Sequence, residues 1–457
     1  MKTKRSNVLK VAALALLVYS PALVKAQNAT ELGNIRPYDK TGINVFEAPK
    51  DSVNKPFDKI KVNWGAGFTQ SFQSLKHENL SGGLYRISPG FNTANANLYM
   101  DVQLAEGIRM NLTSYLAARH HTDTWVKGGY IQFNKLPFNG QIWDDIMKYV
   151  TIQIGHAEIN YGDQHFRRTD GGNALYNPFV ENYIMDAFNT EIGGEVYVRK
   201  GALFGMVGVG SGMIKGNIDS LIATPQDANI HKTPSVYFKA GVDKQVNADL
   251  RVRLSGSFYN DASSGSNTLY GGDRTGSNYY MVMEKLGSTY ADNAFSGRFN
   301  PGFSKNINAG MLNGFIKVKG LEIFATYEQS KGRTSKETAT RKATQYAAEG
   351  IYRFSLGGDF KENLFIGARY NAVSARLANV AAVSTTINGL PTITTPAIIY
   401  NDDVKINRYE LSAGWFLTKN ILLKGEYVRQ KYEDYPTTNY LSGGKFNGYM
   451  IQAVVGF

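Results

Sequence analysis

The sequence predicts an all-β fold, namely a transmembrane antiparallel β-barrel of about sixteen strands with short turns at one end and long loops at the other. Three observations support this prediction. Segments of roughly 10–14 residues alternate apolar and polar side chains, which is the period of a strand with two different faces. No internal stretch reaches the roughly 18–20 apolar residues of a membrane-spanning helix. The connections between the segments are mostly alternately short and long, as in a barrel built from hairpins.

The alternation is clearest in the last segment of the chain. One parity of this segment is entirely apolar: Tyr449, Ile451, Ala453, Val455 and Phe457. The other parity is small or polar, apart from Met450 and Val454. The first face suits hydrocarbon and the second suits a hydrated interior. The same pattern predicts strands at residues 61–72, 94–105, 107–118, 125–134, 148–158, 190–199, 201–211, 235–246, 250–260, 305–319, 321–330, 345–357, 363–378, 404–417, 421–432 and 445–457.

The connections distinguish the two ends of the predicted barrel. Short turns are expected at 106–107, 200–201, 245–249, 319–320, 358–362 and 418–420. Long loops are expected at 73–93, 159–189, 212–234, 261–304, 331–344, 379–403 and 433–444. Two connections depart from the rule: 119–124 is short, and 135–147 is long, with a helical turn expected at Ile142–Met147. The alternative architecture is a soluble β-sandwich or propeller. Inner faces that mix Lys, Arg and Glu fit a wet lumen better than a dry core.

The N-terminal region is expected to have two parts before the barrel. Residues 1–26 have the pattern of a secretory signal peptide, with a basic start, a short apolar core and a small-residue cleavage site at Val24-Lys25-Ala26. An uncleaved membrane anchor is the alternative. Residues 27–58 are polar and contain three prolines, so we interpret them as a periplasmic lead-in to the barrel of residues 59–457. The chain has no cysteine, which removes disulfides, thiolate metal sites and cysteine nucleophiles.

The charge distribution argues against nucleic acid as a partner. The formal net charge is +12, but five basic and no acidic residues lie within residues 1–26, so the remainder carries +7. No dense basic block with interleaved aromatic residues is present. Either hydrated lumen charges or cross-strand salt bridges would account for the charged residues of the inner parity. Those expected to face the lumen include Arg109, Arg251, Arg253, Lys317, Glu322, Arg353, Arg369, Glu410, Lys424 and Glu426.

Two stretches resemble known proteins. The alternation of Tyr449, Ile451, Val455 and Phe457, ending the chain on an aromatic residue, resembles the C-terminal signal that the barrel-assembly machinery recognises in outer-membrane barrels. The stretch 163–186 resembles porins of Bacteroidetes-type Gram-negative bacteria. It also has a faint similarity to phosphate-selective porins, although the chain has no lysine ladder. The resemblance implies that residues 59–457 are an outer-membrane β-barrel in contact with lipid and lipopolysaccharide. It also implies a homotrimer, which many sixteen-stranded porins form.

The segment 159–189 carries the strongest functional signal. It follows the fifth predicted strand, and the third loop of general porins folds into the barrel and narrows the pore, so the resemblance implies that role here. Independently, its aromatic residues supply apolar area that could pack against the wall. The alternative is a surface loop with solvated charges. The charges expected to form a constriction are Asp163, Arg167, Arg168, Asp170 and Glu181.

These observations favour a porin-type channel for passive diffusion of small hydrophilic solutes or ions. Such a channel needs no cofactor, no metal and no catalytic residue, and we expect no enzymatic activity. The alternative is a surface-exposed binding or adhesion barrel without an open channel, suggested by the tyrosines of the long loop 261–304. A barrel enzyme ranks third, because no serine or aspartate partner for a strand histidine is evident.

Overall fold

The computed structural model describes residues 33–48, 50, 57–116, 124–138, 140–169, 171–213, 222–228, 231–271, 278–357, 362–387 and 390–457. The predicted signal peptide, residues 1–26, lies outside the described residues. So do residues 27–32, 49 and 51–56 of the expected lead-in, and Asp170 of the expected constriction.

Sixteen antiparallel strands form a closed barrel, which confirms the predicted fold class. Each strand pairs with the next along the chain, and the last pairs with the first from Gly67↔Gly456 to Glu78↔Lys445. Closure leaves the barrel without a free edge. Every predicted strand corresponds to one observed strand. The strands are β1 (Lys61–Glu78), β2 (Asn95–Ala105), β3 (Ile108–Leu116), β4 (Trp125–Phe133), β5 (Val150–Glu158), β6 (Thr190–Lys200), β7 (Leu203–Gly210), β8 (Ser235–Gln245), β9 (Leu250–Asp261), β10 (Asn306–Val318), β11 (Leu321–Arg333), β12 (Arg341–Gly357), β13 (Glu362–Ala375), β14 (Val404–Phe416), β15 (Ile421–Glu433) and β16 (Lys445–Gly456).

Short elements complete the described residues outside the barrel wall. The helix α1 lies in the long connection between β4 and β5, where the sequence predicts a helical turn. No helix of the described residues is long and apolar enough to cross a membrane. The short elements are α1 (Gln141–Met147), α2 (Tyr290–Asn293), the 3₁₀ turns Lys40–Gly42, Gln164–Arg167 and Gly171–Leu175, the short strand Gly90–Phe91, and the outer hairpin strands Val383–Ile387 and Leu390–Thr395.

The two faces of the wall differ as the alternation predicts. On β16, Tyr449 is 64% exposed and Ile451 is 50% exposed, whereas the alternate residues Met450 and Gln452 are fully buried. Strands β11 and β14 show the same strict alternation of exposed and buried positions. The outer face therefore presents apolar side chains. The inner face is covered by other parts of the chain, which fill much of the barrel.

The wall is uneven in height around the barrel. Strands β3, β4 and β5 have 9 residues each and β7 has 8. On the opposite side, β10 to β13 have 13 to 17 residues. We call the side of the short strands β3 to β7 the low side of the wall. Gly107 and Gly201 allow tight turns there, with φ of 68° and 61°.

Candidate pore interior

The inner loop, residues 159–189, connects β5 to β6 and lies inside the barrel. Its side chains are buried at nearly every described position. Its backbone N–H groups donate to side chains of the wall, from Val180 to Glu426 (2.7 Å) and from Ile184 to Asn371 (2.6 Å). Because these two partners stand on β15 and β13, the loop is fastened across the lumen to the far wall.

The N-terminal strap, residues 33–48, crosses the barrel near the short-turn end. The Lys40 N–H donates to the Lys419 carbonyl in the turn between β14 and β15 (2.8 Å). The Arg36 guanidinium donates to the Phe166 carbonyl of the inner loop (2.8 Å). The strap and the inner loop therefore contact each other inside the barrel.

Lys424 fastens the inner loop through its backbone. The ammonium of this β15 residue donates to the carbonyl oxygens of Ala174 (2.8 Å), Asn177 (2.7 Å) and Phe179 (2.7 Å). An ammonium group has three protons to donate. Since Lys424 is 2% exposed, these carbonyls replace the water that the charge would otherwise need.

A buried ionic cluster holds the beginning of the inner loop. The Asp163 carboxylate accepts two hydrogen bonds from the Arg253 guanidinium, both at 2.8 Å, and pairs with the Lys239 ammonium at 2.7 Å. Glu47 of the strap contacts the same two cations, at 3.1 Å and 2.8 Å. Burial alone would raise the pKa of Asp163 and of Glu47. The two cations reverse the direction and hold both pKa values well below their ordinary range.

The remaining charges expected to form a constriction are also buried. Arg167 pairs with Glu349 of β12 at 2.7 Å. Arg168 makes a bidentate pair with Asp186 of the same loop, at 2.7 and 2.8 Å. Glu181 is 3% exposed, and burial raises its pKa well above the usual value. These contacts place the charges against the wall and the loop itself.

The ten charged residues expected to face the lumen make contacts inside the barrel. Most pair across neighbouring strands or bind the inner loop, and only the Lys317 side chain is substantially exposed, at 43%. Examples of the cross-strand pairs are Arg251–Asp243 (2.7 Å), Arg353–Glu322 (3.0 Å), Arg109–Asp101 (3.2 Å) and Arg369–Glu410 (2.5 Å). Arg253, Lys424 and Glu426 bind the inner loop.

The long loop 261–304 covers part of the barrel interior at the long-loop end. Tyr270, Tyr279 and Tyr280 are each at most 2% exposed. The Tyr270 hydroxyl donates to Glu328 on the inner face of β11 (2.7 Å). These tyrosines therefore pack into the protein and do not form an exposed aromatic surface.

A cavity of about 320 Å³ remains on the low side of the wall. Its lining includes Tyr149, immediately before β5, and Glu158, the last residue of β5. At about 3.3 Å per residue, these positions are about 30 Å apart along the strand. The cavity therefore follows β5 from the short-turn end to the long-loop end, bounded by the strap and by His165, Phe166 and Asn173 of the inner loop.

The cavity lining mixes charged, amide and aromatic side chains, and more of its accessible surface is apolar than polar. Its described charged residues have a small excess of positive charge. Its described basic residues are Arg36, Lys50, Arg109, Lys127 and Arg199, and its described acidic residues are Glu47, Asp101 and Glu158. Neutral amides lie between them, including Asn111, Gln132 and Gln153. Asp163, Arg167, Arg168 and Glu181 are absent from the described lining. The described residues contain no group of three or more His, Asp or Glu side chains that could hold a metal ion.

Comparisons with known proteins find similarity only at the level of structure. No family model matches the chain, and no curated protein matches it. The anion-selective porin from Comamonas acidovorans has 11% sequence identity and a TM-score of 0.49, over 87% of this chain and 100% of that one. OmpT of Vibrio cholerae has 12% identity and a TM-score of 0.47, over 88% and 99%. OprB of Pseudomonas putida has 10% identity and a TM-score of 0.48, over 87% and 94%. Similarities this distant carry no functional assignment.

Sequence reasoning did not identify the residues that line the cavity from the strap. The strap lacks strand alternation, so periodicity gives no indication that it enters the barrel. His165 and Phe166 stand beside the charges expected at the constriction, and they line the cavity where Arg167 and Arg168 do not. The only local signal is the combination of Arg36 and Tyr38 around a proline in an otherwise polar segment.

Proposed function

We propose that this protein is a porin-type channel through which small hydrophilic solutes or ions diffuse passively. The observation that supports this proposal most strongly is the cavity, lined by charged and amide as well as apolar side chains, that follows β5 from one end of the barrel to the other. A lumen filled on one side and open on the other would provide a narrow route, along which the charged and amide side chains could bind water. Solutes would be selected by size and, weakly, by charge. No step of this function requires a cofactor or a catalytic residue.

The proposed route passes between the low wall and the inner loop. Gln153 and Arg109 line it from β5 and β3, and His165 and Phe166 line it from the loop. We propose that the inner loop narrows the route through these two residues. Asp163 and Arg167 would then act as fasteners that keep the loop in place.

The proposal includes a location in the outer membrane of a Gram-negative, Bacteroidetes-type cell. The exposed apolar side chains of the outer face support contact with lipid and lipopolysaccharide, and the alternating apolar residues Tyr449, Ile451 and Val455 of β16 support recognition by the barrel-assembly machinery. Residues 1–26 would direct export and residues 27–58 would begin on the periplasmic side. A homotrimer is the proposed assembly. Membrane fractionation and crosslinking of intact cells would test the location and the assembly.

Conductance in a planar lipid bilayer tests the channel directly. The protein is purified in the form that the cell produces after any processing. Its insertion into the bilayer is expected to appear as discrete steps in conductance. In a salt gradient, the excess of positive charge along the cavity should give a small reversal potential of the sign for anion preference. Insertion verified by protease protection, without conductance steps, would reject the channel in favour of a binding or adhesion barrel.

A matched pair of substitutions on β5 locates the route. Gln153→Trp places a large side chain in the cavity lining, whereas Ile154→Trp places the same side chain on the outer face, where Ile154 is 56% exposed. The first variant is expected to lose most of the single-channel conductance and the second to retain it. Equal conductance of both variants would show that ions take another path.

The alternative function receives less support from the contacts of the long loop 261–304. Three of the four tyrosines that suggested an adhesive surface are buried, the fourth, Tyr290, is half-buried, and one of the buried three bonds to a wall carboxylate. An adhesion face built from Tyr270, Tyr279 and Tyr280 would require this loop to unpack.

A further inference from the structure

The N-terminal strap lines the cavity more extensively than the inner loop does. Among the described lining residues, the strap contributes Asn34, Ile35, Arg36, Tyr38, Phe46, Glu47 and Ala48. The inner loop contributes Asn160, His165, Phe166 and Asn173. If the proposed channel follows this cavity, one of its walls is therefore a segment that is not part of the barrel.

The strap is tied to the wall at both ends and in its middle. Near its start, the Asn34 side chain donates to Asn134 just beyond β4 (2.9 Å), and Arg109 of β3 donates to the Asn34 carbonyl (2.8 Å). Near its end, the Arg199 guanidinium of β6 donates to the Glu47 carbonyl (3.1 Å). Ties to separate strands hold the strap across the lumen and give it a defined position.

Tyr38 fixes the part of the strap that faces the open side. Its ring stacks on Tyr99 of β2, with centroids 4.1 Å apart and planes within 2°. Its hydroxyl donates to Asp101 of the same strand (2.7 Å). Stacking together with a charge-assisted hydrogen bond makes this the most specific contact between the strap and the low wall.

Arg36 is a strap cation that neutral hydrogen-bond acceptors hold beside the cavity. Its guanidinium donates to the carbonyls of Gly42 (2.9 Å) and Phe166 (2.8 Å) and lies 3.7 Å from the centre of the Tyr176 ring. None of the ion pairs of the described residues involves Arg36. Burial lowers the pKa of Arg36 to about 10, so the side chain keeps its charge at neutral pH. Neutral carbonyls and aromatic faces thus hold a full positive charge beside the cavity.

We propose that the strap is a second constriction element of the channel and that Arg36 is a selectivity-determining residue that favours small anions over cations. This inference rests on the proposed channel function and adds to it. The strap sets the width of the route on the side opposite the low wall. The hydrogen bonds of Arg36 go to neutral carbonyls, in contrast to those of Arg167 and Arg253, and the Glu158 carboxylate acts on its charge only at longer range.

Cysteine labelling tests the role of Arg36, because the chain has no native cysteine. Arg36→Cys in the full chain is expected to lower the anion-to-cation permeability ratio by about twofold or more. A cationic thiosulfonate reagent should restore the anion preference, and an anionic reagent should lower it further. Arg86→Cys, at an exposed position of the first long loop, is the matched control and should show neither effect.

The outcomes distinguish a failure of the Arg36 proposal from a failure of the proposed channel function. If the wild-type protein does not conduct, the channel itself is rejected. If it conducts, but Arg36→Cys leaves the reversal potential unchanged and neither reagent alters it, the selectivity role of Arg36 is rejected. Tyr38→Ala tests the strap separately and should raise the single-channel conductance by loosening the strap from β2. An unchanged conductance would reject the strap as a constriction.

Discussion

The two sides of the barrel interior use polar residues differently. On the side of β8 to β15, charged residues such as Arg253 and Lys424 are buried and donate hydrogen bonds to the inner loop. On the side of β2 to β6, amides such as Gln153 and Asn111 line a cavity. The first side is a fastening surface and the second is a candidate passage. Lumen charge in a barrel therefore does not by itself mark the path of a solute.

The difference follows from the cost of burying charge. A buried cation is stable only if anions or carbonyl dipoles replace its water, and the inner loop supplies both. A cation that is paired with a carboxylate has little net charge left to act on a passing ion, whereas a cation held only by carbonyl dipoles keeps its net charge. Arg167 paired with Glu349 illustrates this on the packed side, whereas Arg36 with only neutral acceptors illustrates the opposite on the open side.

The largest expected effect comes from breaking the ionic cluster of the packed side. Asp163→Asn removes the carboxylate that Arg253 and Lys239 share and should lower the free energy of unfolding by roughly 3–5 kcal/mol. Urea unfolding in detergent, followed by tryptophan fluorescence, measures it. Asp434→Asn, which weakens the exposed pair with Lys405, is the control and should leave the free energy of unfolding nearly unchanged. Similar losses in both variants would mean that the cluster does not fasten the loop.

A smaller effect is expected from removing the cation that binds the loop backbone. Lys424→Met leaves three carbonyls of the loop without their donor and should cost roughly 2–3 kcal/mol. It should also make the single-channel current noisier, because the loop can leave the wall. Lys431→Met, at an exposed position of the same strand, should change neither property. A quiet current from Lys424→Met would show that other contacts suffice to hold the loop.

The fold could be predicted from the sequence because most strands alternate with a period of two, and that pattern can be recognised without knowing which strands pair. The low strands β4 and β5, which an irregular connection joins, alternate less regularly in burial, and both are nevertheless among the predicted strands. The interior could not be predicted in the same way. Arg167 and Glu349 are 182 residues apart, and no local pattern links them. The strap has no periodicity at all, so its place inside the barrel depends on contacts such as Tyr38 with Tyr99.

The open side should tolerate substitution better than the packed side. Gln153→Leu removes one hydrogen bond to Gln132 (2.7 Å), at a half-buried position, and should cost about 1 kcal/mol or less. The flux of neutral solutes through this variant should nevertheless change, since an apolar side chain then faces the solute. Liposome swelling with neutral sugars measures the flux, and Ile131→Leu on the outer face of β4 is the control. If Gln153→Leu destabilises as much as Asp163→Asn, the open side is a packed core as well.

The subtlest expected effect is a change in how stability depends on pH. Burial raises the pKa of Glu181 well above its ordinary value, and Glu426 and Glu410 add to this against the attraction of Arg408. The folded protein therefore favours the protonated side chain. The stability that this provides is complete below the ordinary value of 4.5 and is lost as the pH rises through the raised pKa.

Glu181→Gln keeps the shape and removes the titration. Relative to this variant, the wild-type protein should lose stability between acidic and neutral or alkaline pH, measured as the urea midpoint of unfolding. Glu433→Gln, at an exposed position, is the matched control for the removal of one carboxylate. A constant difference between Glu181→Gln and the wild type at every pH would contradict the sign. It would mean that Glu181 stays charged and that Arg408, at 3.8 Å, satisfies it. The packed side would then tolerate an ionised carboxylate with a single distant partner. In that case the two sides of the lumen would differ less in how they stabilise buried charge.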